Sequence, residues 1–550
     1  MKKVVIIGGV AGGASCAARL RRQREDLEIF LIDRGKYVSF ANCGLPYYVG
    51  EIITEEKKLL VATPELFRER FNIQVHVETE VLSIDRQSKR LSVKNLATGE
   101  LYDEPYDALV LSPGAGPVKP PLPGIDLPGV FALRTIPDSR HIREWIKEHN
   151  VKSAVVVGGG FIGLEMAENL AHLGLSVTIL EMLSQVMPPL DPEMAEPLHA
   201  HLRANGVDLR LNDGLAAFEP GPDGGLKVKT KSGAEFSTGL ALLAIGVRPE
   251  TKLAKEAGLA LGPLGGIQVD EEMRTSDPLI YAVGDAVEVL TYPAKRKALI
   301  PLAGPANRQG RIAADVIAGK PRKFRGVQGT AVCGVFGLTS ALTGETEKSL
   351  KASGRTDYAK VYLHPGHHVA YYPNAKPIFL KLLFDKTNGK VLGVQAVGQE
   401  GVEKRVDVVA MAIQLGGTVM DLEEAELCYA PQYGAAKDPV NVAGMIASNV
   451  MRGDLALADW NSVGQEGRIV LDVRDESEYK EDHVPGAVNI PLNQLRKRLG
   501  ELPKDKEIWV YCRVGQRSYY ANRVLLQNGF KAFNLPGGLL THDWIFAEKK

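Results

Sequence analysis

Two glycine turns constrain this chain more than any other feature. Val4–Ile7 is a short apolar, β-rich run that breaks at Gly8-Gly9-Val10-Ala11-Gly12-Gly13 and restarts as a helical pattern over Ala14–Arg24. Glu28–Ile32 follows as a second strand-like run and closes on Asp33. The same order returns as Ala154–Val157, then Gly158-Gly159-Gly160-Phe161-Ile162-Gly163, Leu164–Leu173 and Val177–Leu180, closing on Glu181. Each copy reads as a β-α-β unit. In such units the glycines let the backbone approach a pyrophosphate, which sits on the helix N-terminus. The second copy has the complete spacing at Gly158, Gly160 and Gly163, and Glu181 stands where an acid bonds a ribose diol. A 2′-phosphate would be repelled there, and no Arg or Lys occurs between Met182 and Leu202 to receive it. NADH is therefore expected, with NADPH disfavoured. The first copy keeps Gly8 and Gly13 but has Val10 where the middle glycine belongs.

Two such units 150 positions apart imply duplicated dinucleotide domains, one inserted into the other. Leu109–Pro117 and Leu242–Pro249 each end a strand in a Pro/Gly turn and read as the two crossings between them. After residue 322 the pattern changes to strands such as Ala331–Phe336 and Ile378–Phe384. A polar stretch, Ala456–Gly467, reads as a linker to a small α/β domain. The 66 basic and 66 acidic residues cancel, which argues against an electrostatic nucleic-acid binder. Only four apolar residues follow Lys2-Lys3, too few for a signal peptide, and no run is long enough to span a membrane. A cytoplasmic enzyme without a membrane or nucleic-acid partner is expected. Five cysteines with no CxxC pair argue against a disulfide scaffold or zinc ribbon, so no metal is expected.

Two further motifs carry a resemblance. Tyr281-Ala282-Val283-Gly284-Asp285 is an apolar strand ending in Gly-Asp, and Ser39-Phe40-Ala41-Asn42-Cys43-Gly44-Leu45-Pro46-Tyr47 holds a cysteine before a helix start. With the glycine turns, these make roughly residues 1–450 resemble the pyridine nucleotide-disulfide oxidoreductases. The resemblance implies FAD at Gly8, Gly13, Asp33 and Asp285. It implies an FAD-binding domain over 1–112 and 243–322, an NAD(P)H-binding domain over 113–242 and an α+β dimerisation domain over 323–455. Family members usually pair two cysteines in the first domain, but Tyr48 stands where the second would be. A lone Cys43 must pass through a mixed disulfide, a persulfide or a sulfenic acid. Its place before a helix start would favour thiolate. Cys16 and Cys333 fit apolar patterns and read as core residues; Cys428 stays open.

Within the family, Gly8-Gly9-Val10-Ala11-Gly12-Gly13-Ala14-Ser15 and the Ser39–Tyr47 segment look like coenzyme A-disulfide reductases, where Val10 is a group trait. That likeness implies a coenzyme A site at Ser15, Arg19, Arg22, Ser39 and Asn42. Ser15, Arg19 and Arg22 are spaced i, i+4, i+7 and share one helix face, so Arg19 and Arg22 could clamp phosphates. Arg21 and Arg24 read as a solvated basic face. The family also places partner-subunit tyrosines near the redox cysteine. Tyr429 is the first candidate and Tyr371 or Tyr372 the second, with Lys437 touching substrate; a homodimer follows.

The last stretch, about 458–550, contains Val470-Leu471-Asp472-Val473-Arg474, Glu478 and Val510-Tyr511-Cys512-Arg513-Val514-Gly515-Gln516-Arg517-Ser518. It resembles a single-domain rhodanese. Successive amides in the Cys512–Arg517 loop would form an anion nest, with Arg513 and Arg517 adding charge. Four residues separate Cys512 from Arg517, one fewer than related phosphatases need, so sulfur transfer is favoured. The fold class expected is α/β: two Rossmann-like domains for FAD and NAD, an α+β dimerisation domain and an α/β rhodanese domain. The activity expected is NADH-driven reduction of CoA disulfide, CoA persulfide or polysulfide. Two alternatives stand: an NADH oxidase or peroxidase cycling through a Cys43 sulfenic acid, and a non-enzymatic persulfide carrier or redox sensor.

Overall fold

The two β-α-β units build two parallel five-stranded sheets of one plan. In the computed structural model, which describes residues 2–292 and 294–547, Lys3–Ile7 is the central strand of the first. Glu28–Ile32 and Gln74–His76 lie to one side of it, and Ala108–Leu111 and Ile280–Ala282 to the other. Ser153–Val157 is central in the second. Ser176–Leu180 and Asp208–Arg210 flank it on one side, Leu240–Leu243 and Val130–Ala132 on the other. The central strands are apolar at nearly every position and almost wholly buried, as parallel sheets covered on both faces require. Both helices begin inside the glycine turns, at Ala11–Gln23 and Phe161–His172, up to three residues before the apolar pattern announces them. The two crossings pair antiparallel as Ala115–Pro117 with Val247–Pro249, the ribbon that insertion of one domain into another produces.

The chain divides into two units. One comprises the chain up to Val186 with Gly206–Gly329, the other Met187–Asn205 with the chain from Thr330 onward. The helix Pro192–Ala204 belongs to the second unit although its sequence lies among the strands of the NAD-type sheet. Its anchor is Lys381, fully buried on the strand Ile378–Asp385. The ammonium lies 2.8 Å from both Asp191 and Glu347 and also bonds Glu193. The three carboxylates cluster tightly enough to hold a metal ion, but the lysine ammonium is the cation there. Removing it would take away the cation that all three share, leaving Glu347 with Lys360 at 2.8 Å.

The second unit holds an antiparallel sheet in the order Ala331–Val335, Leu338–Gly344, Val391–Gly398, Ile378–Asp385, Tyr358–Leu363, with the helix Val402–Leu415 packed on it. A four-stranded parallel sheet follows, in the order Val488–Asn489, Arg468–Asp472, Glu507–Tyr511, Lys531–Asn534. Positions 548–550 of this last domain lie outside the described residues. The expectation of a polar linker over Ala456–Gly467 is corrected. Ala456 and Ala458 bond the backbone of Asn534, and Trp460 is buried with its indole N–H donating to the Pro536 carbonyl. The segment's apolar residues make it part of the domain. Among the described residues no helix is long and apolar enough to cross a membrane.

Candidate functional site

The two glycine turns have the same wiring. Gly8 and Gly158 have φ of +96° and +106°, and a Cβ would stand 2.0 Å from the Ser112 carbonyl oxygen at the first and 2.5 Å from that of Ala244 at the second. At Gly13 and Gly163 a Cβ would lie 1.8 Å and 2.0 Å from the carbonyl oxygens of Gly8 and Gly158. No side chain fits at these four positions. Gly160, by contrast, faces open space, the room a pyrophosphate needs. Neither helix has a capping side chain or an acidic residue in its first turn, so its orphan amides are left for an anion. The acids after the strands close each cradle. Gly9 N–H donates to Asp33 at 2.8 Å and Gly159 N–H to Glu181 at 2.7 Å. Burial raises the Asp33 carboxyl even though Gly9 and Gly35 both donate to it. Asp285, after the left-handed Gly284, is likewise raised by burial. These residues fit FAD in the first cradle and NADH in the second.

Cys43 lies in a single helical turn, Asn42–Gly44, followed by the five-residue helix Leu45–Val49. The loop is pinned to the first cradle by Ser39 N–H donating to the Gly9 carbonyl at 2.7 Å. Cys43 and Asn42 are exposed. The expected thiolate is not what this setting favours. Desolvation by surrounding protein, then Glu165 and Asp285, pushes the Cys43 thiol up. A one-turn helix has too little dipole to offset two acids. Glu165 itself is pushed up to about 7 by burial and by Glu168, against a hydrogen bond from Tyr47. Tyr48, in place of a second cysteine, is buried with the Arg143 guanidinium over its ring. Cys16 and Cys333 are buried, and burial raises Cys16 to about 12. Cys428 is exposed.

The coenzyme A candidates meet different fates. Ser15 donates to Asn307 at 2.6 Å, and Arg19 makes a two-pronged contact with Asp315 at 2.7 and 3.2 Å. Arg22 is exposed and unpaired, so it holds the free charge of that face. The reading of Arg21 as solvated is overturned. It is buried and donates to the carbonyls of Phe71, Arg24, Glu25, Leu27 and Asn72, tying helix to loop. Arg24 is a surface residue paired with Asp26.

In the second unit the tyrosine hydroxyls of Tyr371 and Tyr429 meet at 2.7 Å, although both side chains are exposed, at 74% and 46%. Tyr372 packs edge-on against His368, and Lys437 is exposed. Sequence reasoning missed what holds the pair. Arg405, buried on the helix Val402–Leu415, donates to the His367 carbonyl at 2.7 Å and to Asp438 at 2.9 Å, joining the bases of both tyrosine segments. A lone arginine on the apolar face of that helix was the available signal.

Cys512 directly follows the strand Glu507–Tyr511 and is 1% exposed; Gly515, at φ +99°, donates its N–H to Sγ at 3.1 Å. The helix Gln516–Gln527 opens immediately after, so its first-turn amides join the loop. Arg517 is held by Glu478 at 2.5 and 2.7 Å, which raises the guanidinium, so part of its charge is already matched. Arg513 is exposed and unpaired. Below the loop, Arg474 forms a buried two-pronged pair with Asp472.

Two nested dinucleotide cradles, a lone exposed cysteine beside the first and a cysteine loop at a helix start define a nucleotide-dependent oxidoreductase joined to a sulfur-handling module. The chain belongs to the pyridine nucleotide-disulphide oxidoreductase family: that family's model matches residues 2–310, its dimerisation domain 330–438 and the rhodanese-like domain 457–541. It is similar to the reduced CoADR-RHD of Bacillus anthracis, at 47% identity and TM-score 0.97 over 100% of this chain and 98% of that one. It is also similar to the NAD-dependent persulfide reductase of A. fulgidus, at 38% identity and TM-score 0.90 over 98% and 99%. The coenzyme A disulfide reductase of Staphylococcus haemolyticus is 35% identical over 451 residues, 82% of this chain and 100% of that protein.

Proposed function

We propose that this chain is a flavin-dependent, NADH-using reductase of sulfur–sulfur bonds in CoA disulfide, CoA persulfide or polysulfide, with sulfane sulfur handled at Cys512. The observation that carries the reading is Cys43: exposed, tied to the first glycine cradle through Ser39, and with Tyr48 at the sequence position where a resolving cysteine would stand. The names of the similar coenzyme A disulfide reductase and persulfide reductase support it. Gly8, Gly13, Asp33 and Asp285 would hold FAD; Gly158, Gly160, Gly163 and Glu181 would hold NADH. When bound, these groups supply the two electrons that return the sulfur on Cys43 to a thiol.

Cys43 loses its proton to solvent and, as the thiolate, attacks one sulfur of the substrate; the S–S bond breaks, a new one forms to Cys43, one thiolate leaves, and the half held on Cys43 leaves as a second thiol once the two electrons reach that bond. A Tyr429 phenol, polarised by Tyr371, gives the leaving thiolate a proton. Ser15, Arg22, Ser39, Asn42 and Lys437 contact coenzyme A, with Arg19 held in place by Asp315. Tyr371, Tyr372, Tyr429 and Lys437 act on the partner's Cys43 site in a homodimer, consistent with the dimerisation domain. At the other centre the loop amides, Arg513 and Arg517 hold the sulfur anion on Cys512. The balanced charge and the lack of any CxxC pair fit our reading of a cytoplasmic enzyme acting on small molecules, with no nucleic-acid or membrane partner.

Cys43→Ser tests the reading. NADH oxidation by CoA disulfide and by CoA persulfide should both fall by about a thousandfold or more with flavin content unchanged. Retained turnover with either substrate would overturn it.

A further inference from the structure

We propose that His364, in the antiparallel-sheet domain, is a positioning residue for the Cys512 loop, holding the loop's peptide planes in place through the last helix of the rhodanese-like domain. The proposal rests on the reading of Cys512 as a sulfur carrier. His364 follows the strand Tyr358–Leu363 and lies flat on Phe379, with ring centres 4.8 Å apart and planes within 3°. Its Nε2 is 3.0 Å from Thr541 Oγ1, and the ring also bonds the Gly537 backbone. Trp544 packs against both rings. Burial lowers His364 to about 4, so the ring is neutral at working pH and acts by shape and hydrogen bonding.

Thr541 and Trp544 belong to the helix Gly538–Ile545. That helix starts from two successive left-handed glycines, Gly537 at φ +72° and Gly538 at φ +68°. Gly537 is caught between the two domains, while Gly538 packs on the Cys512 loop. A Cβ on Gly537 would lie 2.0 Å from Thr541 Oγ1 and 2.8 Å from Tyr362 Cβ, while one on Gly538 would lie 2.4 Å from the Cys512 carbonyl oxygen. Immediately beyond, Leu539 N–H donates to the Cys512 carbonyl at 2.8 Å and Leu540 N–H to the Arg513 carbonyl at 3.1 Å. A trans peptide carries its N–H opposite its C=O. Pinning these two carbonyls to the helix therefore turns the N–H groups of Arg513 and Val514 away from it, as an anion nest requires. The path is continuous: His364 to Gly537 and Thr541, then Leu539 and Leu540, then the two peptides after Cys512. Sulfur transfer is thereby tied to the domain next door, which contributes no group to the reacting sulfur.

The test uses the full-length flavoprotein as His364→Phe, which keeps a flat ring without its hydrogen bonds, and Thr541→Val, which removes one hydroxyl. Thiosulfate and cyanide are the probes: thiosulfate leaves its sulfane sulfur on Cys512 and departs as sulfite, and cyanide carries that sulfur off as thiocyanate. Both variants should lose about tenfold in kcat with little change in KM for thiosulfate, the mark of misplaced rather than missing groups. The pH midpoint for iodoacetamide labelling of Cys512, read on its peptide by mass spectrometry, should move as well. NADH oxidation by CoA disulfide should stay at the wild-type rate. Wild-type kcat and an unmoved labelling midpoint in both variants would overturn the proposal. Cys512→Ser, run beside them, checks the underlying reading separately: sulfur transfer surviving in that variant would overturn the assignment of Cys512 itself.

Discussion

Cys43 and Cys512 are the same side chain in opposite settings. Cys43 is exposed beside a glycine cradle, with desolvation by surrounding protein, then Glu165 and Asp285, holding its thiol up. Cys512 is buried at the end of a strand, with the Gly515 amide on its sulfur and Arg517 near enough to feel its charge. An open approach suits a substrate as large as a coenzyme A disulfide. A buried sulfur with the Gly515 amide on it suits one small sulfur anion. The difference teaches how, on the proposed function, the two centres would divide the chemistry by the size and charge of what they meet.

Removing one sulfur at a time breaks that comparison most sharply. Cys512→Ser should abolish sulfur transfer from thiosulfate to cyanide, a loss of about a thousandfold or more, while NADH oxidation by CoA disulfide stays within about twofold of wild type. Equal loss of both activities, measured side by side, would show that the two centres are one.

A smaller effect is expected from the acid beside Cys43. Glu165 is neutral below about pH 7 and charged above it, and the charge opposes ionisation of Cys43. Glu165→Gln should speed iodoacetamide labelling of Cys43 near pH 8 by about two- to fivefold, with little change near pH 6. The sign for stability follows from the raised carboxyl. The folded state holds the proton more tightly than the unfolded chain, so stability present below the ordinary value of 4.5 is lost as pH rises through about 7. Denaturant titrations of the variant should lack that decline, and a decline as steep as wild type would remove Glu165 as its source.

Positions whose role is set by their own backbone were legible in the sequence. Gly8, Gly13, Gly158 and Gly163 sit where a Cβ would strike a carbonyl, so only glycine can stand there and the motif announces itself. The acids after the strands were legible for the same reason, since strand length fixes where Asp33 and Glu181 fall. Residues defined by distant partners were not. Arg19 meets Asp315 from 296 positions away, and Arg21 spends its donors on carbonyls up to 51 positions off. His364 finds Thr541 across 177 positions, and Lys381 gathers acids from 34 to 190 positions away. No local pattern marks these, and a basic helix face looks the same whether its arginines reach solvent or a buried carbonyl. The raised thiol of Cys43 was hidden likewise, because Glu165 and Asp285 come from elements far along the chain while the helix start beside it is plain to read.

The division between the two sulfurs is tested most directly by mass spectrometry of the protein after exposure to CoA disulfide, before and after NADH is added. One coenzyme A adduct on the Cys43 peptide, removed by NADH, with the Cys512 peptide unmodified, is the predicted result. An adduct on Cys512 with none on Cys43, or a Cys43 adduct that NADH leaves in place, would contradict it.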